Sequence, residues 1–143
     1  MKSTEYLKRI KSIDAMIIAD VEELATLEAL ATKTTSVMGG ERVQSSGSQQ
    51  KMSDCVVKMA DLRRKIDDEI SELLVLRREA RELLCNLKDA ECITLLHKRY
   101  FLFETWEQIA VEMNYTYKWV SGGLHGKALA QFQKELNKKE GLL

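Results

Sequence analysis

The chain has 143 residues, 45% of them hydrophobic and 31% charged, with 22 basic side chains balanced by 22 acidic ones. That length is one domain or two small modules, apolar enough to form a core, and the zero net charge removes any global attraction to nucleic acid. Apolar runs such as Ala15-Met16-Ile17-Ile18-Ala19 are too short to span a bilayer and no secretory signal opens the sequence, so a cytoplasmic protein with no membrane partner is expected.

Proline is absent and glycine occurs only seven times, a composition that favours long uninterrupted helices. Residues 3–32 carry apolar side chains in alternating steps of four and three: Tyr6, Ile10, Ile13, Ile17, Leu24, Leu27 and Ala31 share one stripe, broken by Asp20. Such a stripe is a seam for a partner helix. Asp20 either sets the register of that seam or sits at its edge, and the edge is the simpler reading. Residues 38–50, MGGERVQSSGSQQ, have the composition of a loop or flexible linker. A second long helix is expected over 53–87, where Met59, Leu62, Ile66, Ile70, Leu73, Leu76, Ala80, Leu83 and Leu87 step by threes and fours. Between Lys51 and Asp89, nine basic and nine acidic residues crowd its other faces. That is a solvated surface laced with weak ion pairs, not a catalytic carboxylate cluster.

Two long amphipathic helices joined by a loop form an antiparallel hairpin, expected over 1–88 with its loop at about 38–50. Two helices leave apolar stripes partly open, so the hairpin is expected to oligomerise, a dimer being favoured, or to bind a partner. Cys55, Cys85 and Cys92 form no C-x-x-C pair, and only His97 and His125 could join them, so neither a metal nor a cofactor is expected. Cys85 and Cys92, seven apart, are expected to form a buried thiol pair on one helix face.

From Asp89 the pattern changes to short helices. DAECITLLHKRYFLF gives Cys92, Leu95, Leu96, Arg99 and Tyr100 a helical rhythm, with His97 as a surface or packing residue and a break near Phe103-Glu104. Thr105 followed three residues on by Gln108 is a capping box. Trp106, Ile109, Ala110 and Met113 supply the buried face of that helix. Asn114-Tyr115 makes a turn, because asparagine tolerates the left-handed conformation, and Thr116 is a second N-cap. The next helix places Val120, Leu124 and Ala128 or Leu129 on the core and leaves Tyr117, Lys118, Ser121, His125 and Lys127 outward. Helix, tight turn and second helix at this spacing make the DNA-binding bihelical unit. Between Thr116 and Lys139, five lysines face one acid, the local basic excess that phosphate contact needs.

The segment HKRYFLFETWEQIAVEMNYTYKWVSGGLHGKAL resembles the C-terminal, promoter-reading helix-turn-helix (region 4) of the sigma-70 family. The resemblance rests on an R-Y segment, then T-W-x-x-I-A-x-x-M, a polar N-cap, a valine and a closing A-L. With RVQSS after the first helix and LHGKAL near the end, nearly the whole chain resembles small sigma-factor-like proteins of phages and prophages of Gram-positive bacteria. These are often grouped with late-gene transcription regulators. The resemblance implies an all-α fold in which a long antiparallel hairpin precedes a helix-turn-helix over 89–143. It also implies double-stranded DNA as partner, RNA polymerase as a second one, and a bacterial host cell as location. Thr116, Tyr117, Lys118, Ser121, His125 and Lys127 are the DNA-facing set it implies. Gly122-Gly123 depart from that pattern: each glycine in an exposed helix interior costs roughly 1 kcal/mol relative to alanine, and neither offers a side chain to a base edge.

A phage-derived, DNA-binding transcription regulator is therefore the leading expectation. The alternatives are an adaptor that kept the helix-turn-helix fold but binds protein, and a small terminase-like DNA-packaging subunit. No glycine-rich phosphate loop, catalytic triad or α/β alternation points to an enzyme.

Overall fold

The computed structural model describes the backbone of residues 1–40 and 46–141 and the side chains of 1–33 and 49–141. Among the described residues every regular element is helical: α1 (Ser3–Gly40), α2 (Ser46–Cys85), α3 (Ala90–Leu96), α4 (Trp106–Met113) and α5 (His125–Lys139). Two π-helical turns, His97–Phe101 and Trp119–Leu124, continue α3 and lead into α5. Helix reaches into both ends of the expected loop. Residues 38–40 and 46–50 are helical, and 41–45 lie outside the described residues. With no proline to stop either helix, a local bond such as Gln50 Nε2 to Asp54 Oδ1 at 2.9 Å supports the first turns of α2.

Contacts divide the chain into two compact units, one of Met1–Ile13 with Leu73–Leu143 and one of Asp14–Glu72. This is not the division at 88/89 that composition suggested, because long helices carry no composition break where their surroundings change.

The second unit is a two-helix seam. Asp14, Ile17, Asp20, Leu24, Leu27 and Ala31 of α1 and Met52, Cys55, Met59, Leu62, Ile66 and Glu69 of α2 are its buried and half-buried positions among the described side chains. Every step between them is three or four residues, the spacing of a coiled-coil seam. The helices run antiparallel: Asp20 meets Lys65 at 3.3 Å, Arg63 meets Glu28 at 3.1 Å, and the Cys55 thiol donates to Leu27 O at 3.4 Å. Asp20 lies in the seam, only 9% exposed, and not at its edge. It sits against Glu69, whose Oε1 is buried without a hydrogen-bond partner, while the buried Asp20 Oδ2 has only the Lys65 ammonium at 3.3 Å. Two ionised carboxylates have no donor to offer each other; a proton between them satisfies both. The Asp20 carboxyl raises the Glu69 pKa, and burial raises it further.

The first unit holds the main core. Leu7 and Ile10 from α1, Ala80 from α2, Cys92, Leu95 and Leu96 from α3, Ile109 from α4, and Ala128 and Phe132 from α5 are all inaccessible to solvent. The chain's first residues are tied to α5. Ser3 N donates to Gln133 Oε1 at 2.6 Å, Gln133 Nε2 donates to Met1 O at 3.0 Å, and the Tyr6 ring lies 5.8 Å from that of Phe132. The N-terminal turns thus belong with the C-terminal module. α2 closes with tight bonds from Asn86 N to Leu83 O and Leu87 N to Leu84 O, and α3 starts afresh at Ala90. Cys85 and Cys92 therefore lie on different helices, Cys85 exposed and Cys92 buried, and the expected buried thiol pair does not form.

Candidate nucleic-acid interface

The segment read from the sequence as a helix-turn-helix begins at a left-handed turn. Phe103 takes a positive φ of 57°, and Glu104 N bonds back to Lys98 O at 3.0 Å, reversing the chain after the first π turn. Thr105 then caps α4 reciprocally: Gln108 N donates to its Oγ1 at 3.2 Å, while its own N–H donates to Gln108 Oε1 at 2.8 Å. Ile109 and Ala110 are buried, with Trp106 and Met113 packed beside them. Asn114 ends α4 in the left-handed region, φ 58° and ψ 40°, as its small polar side chain permits. Thr116 starts the next helix, its Oγ1 accepting from Trp119 N at 3.2 Å.

From Tyr117 the chain is helical without interruption to Lys139, so Gly122-Gly123 do not break it. They lie instead in a π turn. The buried positions Val120, Leu124, Ala128, Phe132 and Leu136 are spaced by fours. In an α-helix each such step drifts by about 40°, enough to carry the stripe off the core; a wider turn at its start removes part of the drift. Gly123 has a specific reason to be glycine. A Cβ there would stand 2.2 Å from an atom of the Trp119 ring, which lies flat against this stretch of helix. Gly122 faces open space.

The six expected DNA-facing residues separate into two groups. Thr116, Tyr117 and Lys118 are exposed on the first turn, and Lys118 has no ion pair or hydrogen bond among the described residues. Ser121 is half-buried beside them, its hydroxyl donating to Tyr117 O at 2.7 Å. His125 does not face outward. Its Nε2 is 2.7 Å from the Tyr100 hydroxyl, and its ring meets Trp106 edge-on at 4.7 Å. Burial lowers its pKa, with the Arg99 charge adding to the effect, so it is a neutral packing group at neutral pH. Lys127 projects from the helix but is held by Asp89 Oδ2 at 3.0 Å. The π turn accounts for His125, because it rotates that residue relative to an α-helical projection; Lys127 stays outward and differs only in having Asp89 as a partner.

Pairing also thins the basic face. Lys127, Lys138 and Lys139 are joined to Asp89, Glu135 and Glu79, leaving Lys118 and Lys134 unpaired among the described residues. Beside Lys118 stand three partly exposed aromatic rings, Tyr115, Tyr117 and Trp119. Tyr115 and Trp119 meet edge to face at 6.5 Å, and the Tyr115 hydroxyl bonds to the Glu91 carboxylate. The sequence analysis did not single out Trp119, although a signal was present: a tryptophan four residues before a glycine has a bare backbone on which to lie. No metal-binding cluster of His, Cys, Asp or Glu occurs among the described residues, and no described helix is long and apolar enough to cross a membrane. Compared with protein-family models, curated proteins and solved structures, the chain matches none.

Proposed function

We propose that the chain is a DNA-binding transcription regulator of the sigma-factor-like, phage-derived type that its sequence resembles, with duplex DNA as the ligand of residues 116–121. The observation that carries the reading is the succession of capped helix, left-handed Asn114 turn and second capped helix with an unpaired lysine on its exposed first turn. In such a unit the N-terminal residues of the second helix approach the major groove. Tyr117 and Ser121 are then the groove-facing side chains and Lys118 the phosphate contact, while His125 packs the helix from within and Lys127 ties its outer face to Asp89. Gly122 lets the DNA backbone come close but reads no base. Specificity on this reading is shared with a partner, RNA polymerase in the sigma-like role, and with a second copy of the chain associated through the hairpin.

Fluorescence anisotropy of the full chain on its own upstream duplex tests this directly. Duplex affinity should fall steeply with salt, and Lys118→Ala should lower the slope of that dependence by about one unit. Lys127→Ala, whose charge is already matched by Asp89, should change it less. An absence of duplex binding at low salt would sink the reading. The exposed aromatic group and the paired lysines favour one other: a protein-binding adaptor on the same fold. Loss of a co-purifying partner on Trp119→Ala, without any duplex binding, would select it.

A further inference from the structure

A cleft of about 500 Å³ opens among the C-terminal turns of α2, α3 and the π turn after it, all within the first unit. Arg77, Arg78, Arg81 and His97 line it, over buried Leu84 and Phe101 and half-buried Ile93. No carboxylate is among its described lining residues. Arg77 belongs to the fold: both terminal nitrogens lie 3.4 Å from Phe101 O, and its guanidinium stands 5.3 Å from the Phe101 ring centre. Arg78 and Arg81 have no ion pair or hydrogen bond among the described residues. Of their acidic neighbours, Glu79 is taken by Lys139 at 3.0 Å, and Glu82, exposed on the same helix, makes no ion pair with either. Arg77 and Arg81 are also four apart on one helix, a like-charge arrangement that is unfavourable unless an anion is near. The field crosses the cleft: burial lowers the His97 pKa, and the charges of Arg77 and Arg81 lower it further.

We propose that this cleft binds a small organic phosphate with a flat apolar body, a nucleoside phosphate by class, with the phosphate on Arg78 and Arg81 and the body against His97, Leu84 and Ile93. Guanidinium forks match phosphate oxygens in pairs, and two free forks beside Arg77 offer more donors than one carboxylate accepts. The volume lies within the range of small-molecule clefts, and the apolar floor has no role for a bare ion. None of these residues belongs to the proposed DNA-reading turn, so the two readings stand or fall separately.

Calorimetric titration of the full chain with AMP and with ATP, and with inorganic phosphate as a separate arm, tests the site. Saturable one-site binding is expected for the nucleotides, with inorganic phosphate weaker. The double variant Arg78→Ala/Arg81→Ala should lose about tenfold or more in nucleotide affinity. Both side chains are exposed, so circular dichroism should show the fold unchanged. Lys118→Ala should bind nucleotide as the parent does, and the His97 ring resonances should move on nucleotide addition. Absence of nucleotide binding overturns the proposal, as does binding that the double variant leaves intact. Inorganic phosphate binding as tightly as AMP removes the apolar part of the site and overturns it too. A double variant that loses duplex affinity, in a chain that binds no nucleotide, assigns the arginines to DNA instead.

Discussion

α1 and α2 carry the same spacing of threes and fours through both units, yet the two units bury very different amounts. The first unit has helices on several sides of its seam, and residues such as Leu95, Val120 and Phe132 lose all contact with water. In the second, the described residues of α1 and α2 pack on each other, and among them only Met59 and Ile66, besides Asp20, are buried. Met16, Ile18, Val21, Val56 and Val57 remain about half exposed there. A heptad pattern therefore guarantees a seam but not a core. What encloses a seam is the number of neighbours that reach it, and that number belongs to topology.

The largest expected effect measures this difference. Phe132→Ala should destabilise the chain by about 3–5 kcal/mol, since rigid neighbours on every side leave a cavity behind. Met59→Ala should cost less, about 2 kcal/mol, because an open two-helix seam can close over a smaller side chain. Urea unfolding followed by circular dichroism reads both. If Met59→Ala matches Phe132→Ala, the second unit is enclosed in solution, and a cost that grows with protein concentration would identify a second copy as the cover.

The acid pair in the second unit gives a smaller effect. Glu69 has its pKa raised by Asp20, so the folded state holds a proton that the unfolded state releases more easily. Its contribution is fully present below the ordinary glutamate pKa and is lost as pH rises through the raised folded value. Glu69→Gln, which keeps a donor facing Asp20 at every pH, should therefore be more stable than the parent at neutral pH. The advantage should shrink towards pH 4. Thermal melts across that range check the sign, and a constant difference would mean that no proton is shared in the seam.

Local signals were legible and non-local ones were not. The Thr105–Gln108 box, the left-handed Asn114 and the Thr116 cap each depend on residues within four positions of one another, and the structure holds all three. The buried stripe through Val120 and Leu124 was legible for the same reason. The outward set failed at His125 because a π turn shifts the phase of everything after it, and no residue type announces such a turn. Lys127 does lie outward, but its pairing was not legible, because the partner, Asp89, is 38 positions away. Docking of the N-terminal turns on α5 through Ser3 and Gln133 is more remote still. The arginine cleft was read as a solvated face, since a charge run with equal signs hides which members find partners.

The smallest expected effect concerns the two glycines that seemed at first to be one feature. Gly122→Ala adds a methyl group in open space on a helix, and it should stabilise the chain by about 0.5–1 kcal/mol. Gly123→Ala carries the same backbone gain but forces the Trp119 ring off the helix, so its net change should be close to zero. The Trp119 indole N–H signal should then move strongly in the second variant and little in the first. Similar spectra in both would mean that the ring does not rest on Gly123. The pair also bears on function. A stiffer helix in Gly122→Ala that binds duplex as the parent does would show that softness there is not needed for DNA. A loss confined to Gly123→Ala would place Trp119, and the aromatic group around it, at the contact itself.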